Sequence, residues 1–219
     1  DDLYLKGSEN ILTGLARFDR ERTNIEAGQA WAAAHPADPA AARLCNLYPD
    51  AGVYVIGLRL HPRTRIAWLE AALTAARALG NRKYEGFHLG NLGIAFKDLG
   101  EPRRAIDYYE QRLVIAREIG DRRGEGAALG NLGNAWADLG EPRRAIDYYE
   151  QDLMIVREIG DRRGEANACW NLGLLLEGQG ELPRAVELMQ VRVDFLRAIG
   201  HPDAERLAAY VEQIRQKLK

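Results

Sequence analysis

Two stretches of this chain repeat word for word at one fixed distance. Glu101-Pro102-Arg103-Arg104-Ala105-Ile106-Asp107-Tyr108-Tyr109-Glu110-Gln111 recurs at Glu141 to Gln151, and 141 − 101 = 40. Arg117-Glu118-Ile119-Gly120-Asp121-Arg122-Arg123-Gly124-Glu125 recurs from Arg157 to Glu165, at the same step. Asn-Leu-Gly stands at Asn91, Asn131 and Asn171. Weaker copies flank these units, entered by His61-Pro62-Arg63 and by Glu181-Leu182-Pro183-Arg184-Ala185. A period of this length confines the fold to one supersecondary unit stacked on copies of itself, because a single unit cannot bury its own apolar face.

Each period reads as two helices. In the first, from about Arg122 to Leu139, the apolar residues Leu129, Leu132, Trp136 and Leu139 fall at steps of 3, 4 and 3, the stripe of an amphipathic helix. Gly140 stops that helix as a left-handed C′ residue, Glu141 takes the N-cap, and Pro142 sits at N1, where a missing N–H costs nothing. The second helix, from about Pro142 to Glu158, presents Ala145, Ile146, Tyr149, Leu153 and Val156. Gly160 ends it, and Asp161 can cap the next. Links of two or three residues force antiparallel neighbours. Stacked pairs then share one continuous core. Near-identical units imply a constant rotation per unit and hence a concave face, lined mainly by the first helix of each pair.

These residues resemble the tetratricopeptide signature of Leu-Gly, an aromatic, Ala and an aromatic. The set reads Leu92, Gly93, Phe96, Ala105, Tyr109, then Leu132, Gly133, Trp136, Ala145, Tyr149, then Leu172, Gly173, Leu176, Ala185, Met189. The resemblance implies an all-α, right-handed superhelical solenoid of antiparallel helix pairs. The common repeat is about 34 residues; the step of 40 is similar to the longer variety in Pins/LGN-type scaffolds and bacterial signalling ATPases. One departure stands out. The small residue usual seven places after the second-helix Ala is Ala72 in the first unit, then Arg112, Asp152 and Arg192. Their alternating sign predicts a charge ladder between repeats, with unrelated exposed side chains as the alternative.

The first 60 residues fit the repeat poorly. Phe18 to Ala32 reads as a capped amphipathic helix with Ile25, Ala27 or Gly28, and Trp31 turned inward. With Glu21, Asn24, Ile25, Gln29 and Trp31 it resembles the E-x-x-N-[IL]-x-x-A-x-x-W segment before the repeat array of bacterial STAND-type (NB-ARC-like) ATPases. Residues 1–40 are expected to form an N-terminal helical segment, 41–80 a degenerate repeat in which Pro49 kinks or restarts a helix, 81–200 three regular repeats, and 201–219 a capping helix. The phosphate-binding pattern G-x-x-x-x-G-K-[ST] is missing from this sequence. The resemblance would therefore make the chain a sensor half without its motor.

The chemistry searched for in the side chains points away from catalysis. Of the four histidines, His35, His61, His88 and His201, no two stand at i, i+4, and none has a cysteine or carboxylate at ligand spacing; no metal or cofactor is expected. The one serine, Ser8, supports no nucleophilic set, and Asp107 with Glu110 reads as a solvated face. Cys45 and Cys169 read as buried thiols of a reducing compartment, and a cytoplasmic location is expected. A net charge of −2, and arginine pairs interleaved with Glu101, Asp121 and Glu125, argue against nucleic acid; no stretch is apolar enough for a membrane span.

The best binding candidates are Asn91, Asn131 and Asn171. In tetratricopeptide architecture the residue before Leu-Gly faces the groove, and an amide that both donates and accepts can grip a peptide backbone. Phe87, Ile94, Lys97 and Asp98 are expected beside them in one unit, Asn134 and Asp138 in the next, and Asn167, Trp170 and Leu174 in the last. The alternative is that these asparagines satisfy helix ends. The chain thus reads as a protein- or peptide-binding module, with a partner in the groove that could be the missing NTPase half of its own chain. A small-molecule inducer sensor and a self-assembly scaffold are the competing readings, and an enzyme comes last.

Overall fold

The computed structural model describes residues 9–51 and 53–218, all of whose regular structure is helical. Eleven helices are seen among the described residues: α1 (Glu9–Ala34), α2 (Pro39–Ala51), α3 (Val53–Arg59), α4 (Pro62–Ala78), α5 (Arg82–Asp98), α6 (Pro102–Glu118), α7 (Arg122–Asp138), α8 (Pro142–Glu158), α9 (Arg162–Gly178), α10 (Leu182–Ala198) and α11 (Ala204–Gln216). They fall into two compact units, one ending at Ile115 and one beginning at Ala116. Ser8 lies outside the described residues.

The regular helices are the same length because the same local signals bound them. Gly140 and Gly160 adopt φ of +74° and +67°, a conformation open to glycine without strain. At the end of α7 the Glu141 N–H reaches the Trp136 carbonyl at 3.0 Å and the Gly140 N–H reaches Ala137 at 2.9 Å, the paired bonds of a Schellman motif. Asp121 and Asp161 cap α7 and α9, each accepting from the backbone N–H three residues on at 2.9 Å. Glu141 holds the N-cap position of α8 without a side-chain bond, leaving Pro142 at N1 as the effective start signal.

In the unit from Ala116 onward, α7 packs on α8, α8 on α9, α9 on α10 and α10 on α11. Tyr149, Leu153 and Val156 of α8 meet Cys169, Leu172 and Leu176 of α9 in one core. Full burial of a side chain such as Leu172 contributes about 1.5–3 kcal/mol. A second cluster joins α10 and α11: Val211 and Ile214 of α11 pack with Val186, Met189 and Val193. Arg157 donates from Nε to Glu165 at 2.7 Å, and Arg197 to Glu205 at 2.9 Å, each joining the end of a second helix to the start of the next.

In the unit before it, Leu15 and Phe18 of α1 pack with Val55, Ile56 and Leu60 around Trp68 of α4. Pro49 lies inside α2; that helix ends at Ala51 and α3 begins at Val53. The expected inward face of α1 needs correction. Trp31 is 49% exposed and stacks on His35 with ring centroids 4.9 Å apart, and Ala27 is also exposed. The inward positions are Ile25, Gly28 (against Tyr48), Gln29 and Ala32. Steps of 3 and 4 link those positions, whereas six residues from Ile25 to Trp31 turn the helix by about 600°, off the stripe.

Candidate functional site

The unit from Ala116 onward encloses a cavity of about 630 Å³. The start of α7 brings Arg123, the middle of α7 brings Asn131 and Asn134, α8 brings Tyr149 and Asp152, α9 brings Asn167, Trp170 and Asn171, and α10 brings Arg192. The first helices of successive pairs supply all of its asparagines, as their matched position before or after Leu-Gly dictates.

Two glycines of α7 make the floor. A Cβ placed on Gly130 would stand 2.8 Å from Asp152 Oδ2, and one on Gly126 would stand 3.1 Å from Oδ1. The carboxylate of α8 therefore lies in space that only glycine leaves open. Asp152 is 8% exposed, and among the described residues no ion pair or hydrogen bond to its carboxylate is seen. Burial, aided by the charge of Asp161, pushes its pKa up from 3.8 to about 7. The expected charge ladder does not form here: Arg192 donates from Nη1 to Asn167 Oδ1 rather than pairing with Asp152.

The asparagines do different work. Gly133 leaves room for the Tyr149 ring, whose Cε1 would be 2.6 Å from an added Cβ. The Tyr149 hydroxyl donates to Asn134 Oδ1 at 2.7 Å, and Asn171 Nδ2 donates to the same oxygen at 3.3 Å. Burial first, then the charges of Asp138 and Asp152, raise the tyrosine's pKa, so it stays a neutral donor. Asn134 and Asn171 are thus tied into a bridge from α7 to α9, whereas half-buried Asn131 makes no such bond and faces the cavity. Trp170 is half-buried and tilts against Tyr210 with centroids 6.0 Å apart. It also borders a second cavity of about 560 Å³, where Leu174 lies with Leu207 and Tyr210. Asp138 is exposed and lines neither cavity.

The remaining candidates belong to the other unit. Asn91 is half-buried, and its Nδ2 is buried with no hydrogen-bond partner. Phe87 stands edge-on to His88, with ring centroids 5.7 Å apart. Ile94 is 38% exposed and Lys97 half-buried, while Asp98 accepts from Arg65 Nη2 at 2.5 Å. His88 is fully buried; its Nε2 lies 2.7 Å from Asn46 Oδ1, and burial lowers its pKa to about 4. A ring held neutral and donating from Nε2 is a core residue. Among the described residues no three His, Cys, Asp or Glu side chains cluster as metal ligands, and no helix is long and apolar enough to cross a membrane.

Sequence reasoning singled out Asp152 for a ladder and missed it as a cavity residue, along with Tyr149, Arg123 and Arg192. The signal was available in part: Gly126 and Gly130 stand one turn apart on the face that meets α8.

No curated protein matches the chain in sequence. A tetratricopeptide repeat family model matches residues 89–123 and 128–163. Among solved structures, the apo form of RapI superposes with a TM-score of 0.69 at 16% identity, over 79% of this chain and 64% of that one. A Signal Transduction ATPase with Numerous Domains (STAND) protein with a tetratricopeptide repeat sensor, from Pyrococcus horikoshii, gives 0.71 at 16% identity, over 97% of this chain and 31% of that one. BtubC from P. vanneervenii gives 0.65 at 17% identity, over 92% of each chain. The chain thus spans less than two thirds of the first two, and at such identities the likeness is one of fold. The repeat step, the capped helix pairs and these matches agree: residues 89–163 carry tetratricopeptide repeats, and the chain shares the helical-repeat fold of these structures.

Proposed function

We propose that this chain binds a protein or peptide in the cavity between α7, α8 and α9, and serves as the sensor or scaffold part of a larger STAND-type signalling ATPase. The observation that carries the binding reading is the convergence of Asn131, Asn134, Asn167 and Asn171 on one 630 Å³ cavity beside a half-buried tryptophan. Amides suit an extended backbone, and a ring with one open face suits an anchor side chain. The sensor reading is supported by the near-complete cover of this chain by a STAND protein's structure and by the Glu21–Trp31 segment. The partner in that reading is a separate protein or the NTPase part of the same polypeptide.

The cavity also falls in the roughly 300–1,000 Å³ range of small-molecule sites, which favours an inducer metabolite as the second reading. Asn131→Ala is the cleanest probe, because Asn131 has no bond to lose within the fold, whereas Asn171→Ala also breaks the bridge to Asn134. The experiment is affinity capture from source-cell lysate with wild type and Asn131→Ala, read by protein mass spectrometry and by native mass spectrometry of the captured chain. A protein held by wild type and lost from the folded variant supports the peptide reading. A small added mass without a protein shifts the assignment to an inducer. Identical captures by both proteins remove the cavity from the binding site.

A further inference from the structure

The cavity holds one charge that the fold does not explain. Asp152 is more than nine-tenths buried, lines the cavity, and has no cation paired with it among the described residues. Two glycines are needed to seat it, since a Cβ at either Gly126 or Gly130 would press on its oxygens. An unpaired carboxylate in such a place opposes folding. The neighbouring units show that the position does not require an acid: it is Arg112 in one and Arg192 in the other, while the flanking Tyr108-Tyr109-Glu110-Gln111 and Tyr148-Tyr149-Glu150-Gln151 are the same.

We propose that Asp152 is the anionic anchor of the cavity and receives a cationic group of the ligand, the side chain of a lysine or arginine in a bound peptide. This rests on the peptide-binding reading above and names the chemistry of that site. Three arginines also line the cavity, and they do not reverse the assignment. Arg206 is held by Asp203 at 3.0 Å and Arg192 by Asn167. Arg123 is exposed, where water already solvates its charge and an added anion gains little. The buried acid is the group whose solvation a ligand would restore. Trp170 also lines the cavity, beside Asn131, whose amide suits the adjoining backbone.

Proton linkage supports the same picture. The charged groups facing Asp152 are Arg123 from α7, Asp161 from the turn before α9, Arg192 from α10, and Arg206 with Asp203 at the start of α11; Tyr149 shares its own helix. With a pKa of about 7, the free site is mostly protonated at pH 6 and mostly ionised at pH 8. A cation that takes the ionised form then binds about tenfold more tightly at pH 8 than at pH 6.

The test is selection from a random peptide display library on the whole chain, followed by isothermal titration of a selected peptide and its Lys→norleucine or Arg→norleucine counterpart. Wild type, Asp152→Asn and Arg192→Gln are compared at pH 6 and pH 8, with circular dichroism to establish folding. The expected result is a basic residue at one fixed position of the selected peptides. Asp152→Asn then weakens the basic peptide at least tenfold at pH 8 and leaves the norleucine peptide unchanged, while Arg192→Gln keeps the preference for the basic residue. His201 beside Asp203 is common to all three proteins, so the difference between them isolates Asp152. Selected peptides without a basic residue would overturn the anchor and leave peptide binding standing. Equal loss of both peptides in Asp152→Asn would reduce Asp152 to a shape-holding residue. If no peptide is selected, the anchor and the peptide reading fall together.

Discussion

Replacing Asp152 by Asn tests how the second helix of a pair tolerates a buried carboxyl. In the unfolded chain this group ionises near 3.8, and in the folded unit near 7. Between those values the unfolded chain has released its proton and the folded one retains it. Wild-type stability therefore falls as pH rises from about 4 to about 7, and is level on either side. A difference of roughly 3 units at 1.36 kcal/mol each corresponds to about 4 kcal/mol over the whole window, of which about 2 kcal/mol lies between pH 5 and pH 7. Asn fills the same space and does not titrate. Its own amide is also desolvated, at a cost of about 1–3 kcal/mol, but that cost is the same at every pH. The quantity to compare is thus the change in the stability difference with pH. Urea unfolding followed by the separate indole N–H resonances of Trp136 and Trp170 reads this unit. With a slope near 2 kcal/mol/M, the midpoint of Asp152→Asn should gain about 1.2 M on wild type between pH 5 and pH 7.5. Midpoints that run parallel across that range would refute the burial argument.

Gly160 and Gly178 should respond oppositely to alanine. Neither has an atom near an added Cβ, but Gly160 has a φ of +67°, so Gly160→Ala should lose about 1 kcal/mol and Gly178→Ala should gain about 0.5–1 kcal/mol by thermal melts. Gly133→Ala forces the Tyr149 ring from its seat 2.6 Å away and should cost about 1–3 kcal/mol, with loss of the Tyr149–Asn134 bond visible as a shift of the Asn134 side-chain amide resonance. Cys169 is fully buried, and burial first raises its pKa to about 11, so native protein at pH 8 should resist an aromatic disulfide reagent at this thiol until urea is added.

The helix boundaries were legible because their causes are local. Gly140, Pro142 and Asp161 act within one turn of where they stand, and the step of 40 let each be read more than once. Where the repeat gives out, the phase does too. In α1 a stripe through Ile25 and Trp31 looked as good as one through Ile25, Gln29 and Ala32, and packing against α2 and α4 decided for the latter. The cavity was half legible. Asn131, Asn134, Asn167, Trp170 and Asn171 share one periodic face and do meet, but Asp152 depends on side chains missing from another helix. Gly126 and Gly130 could be read as permitting close contact; which side chain would take the space is a property of the α7–α8 crossing.

The units that end at Gly120 and Gly160 differ at eleven places, and five of these fall on the cavity. Lys83, Phe87, Ile94, Arg112 and Ala116 of the first become Arg123, Ala127, Asn134, Asp152 and Val156 of the second, and all five of the latter line the cavity. The caps, the Schellman glycines and the core aromatics are copied unchanged or nearly so. Such a chain separates its grammar from its vocabulary. A repeated frame carries the fold, and changes on one inner surface can give each copy its own chemistry without reopening the question of how it folds. New specificities are accordingly easiest to write at these five positions, with the frame left alone.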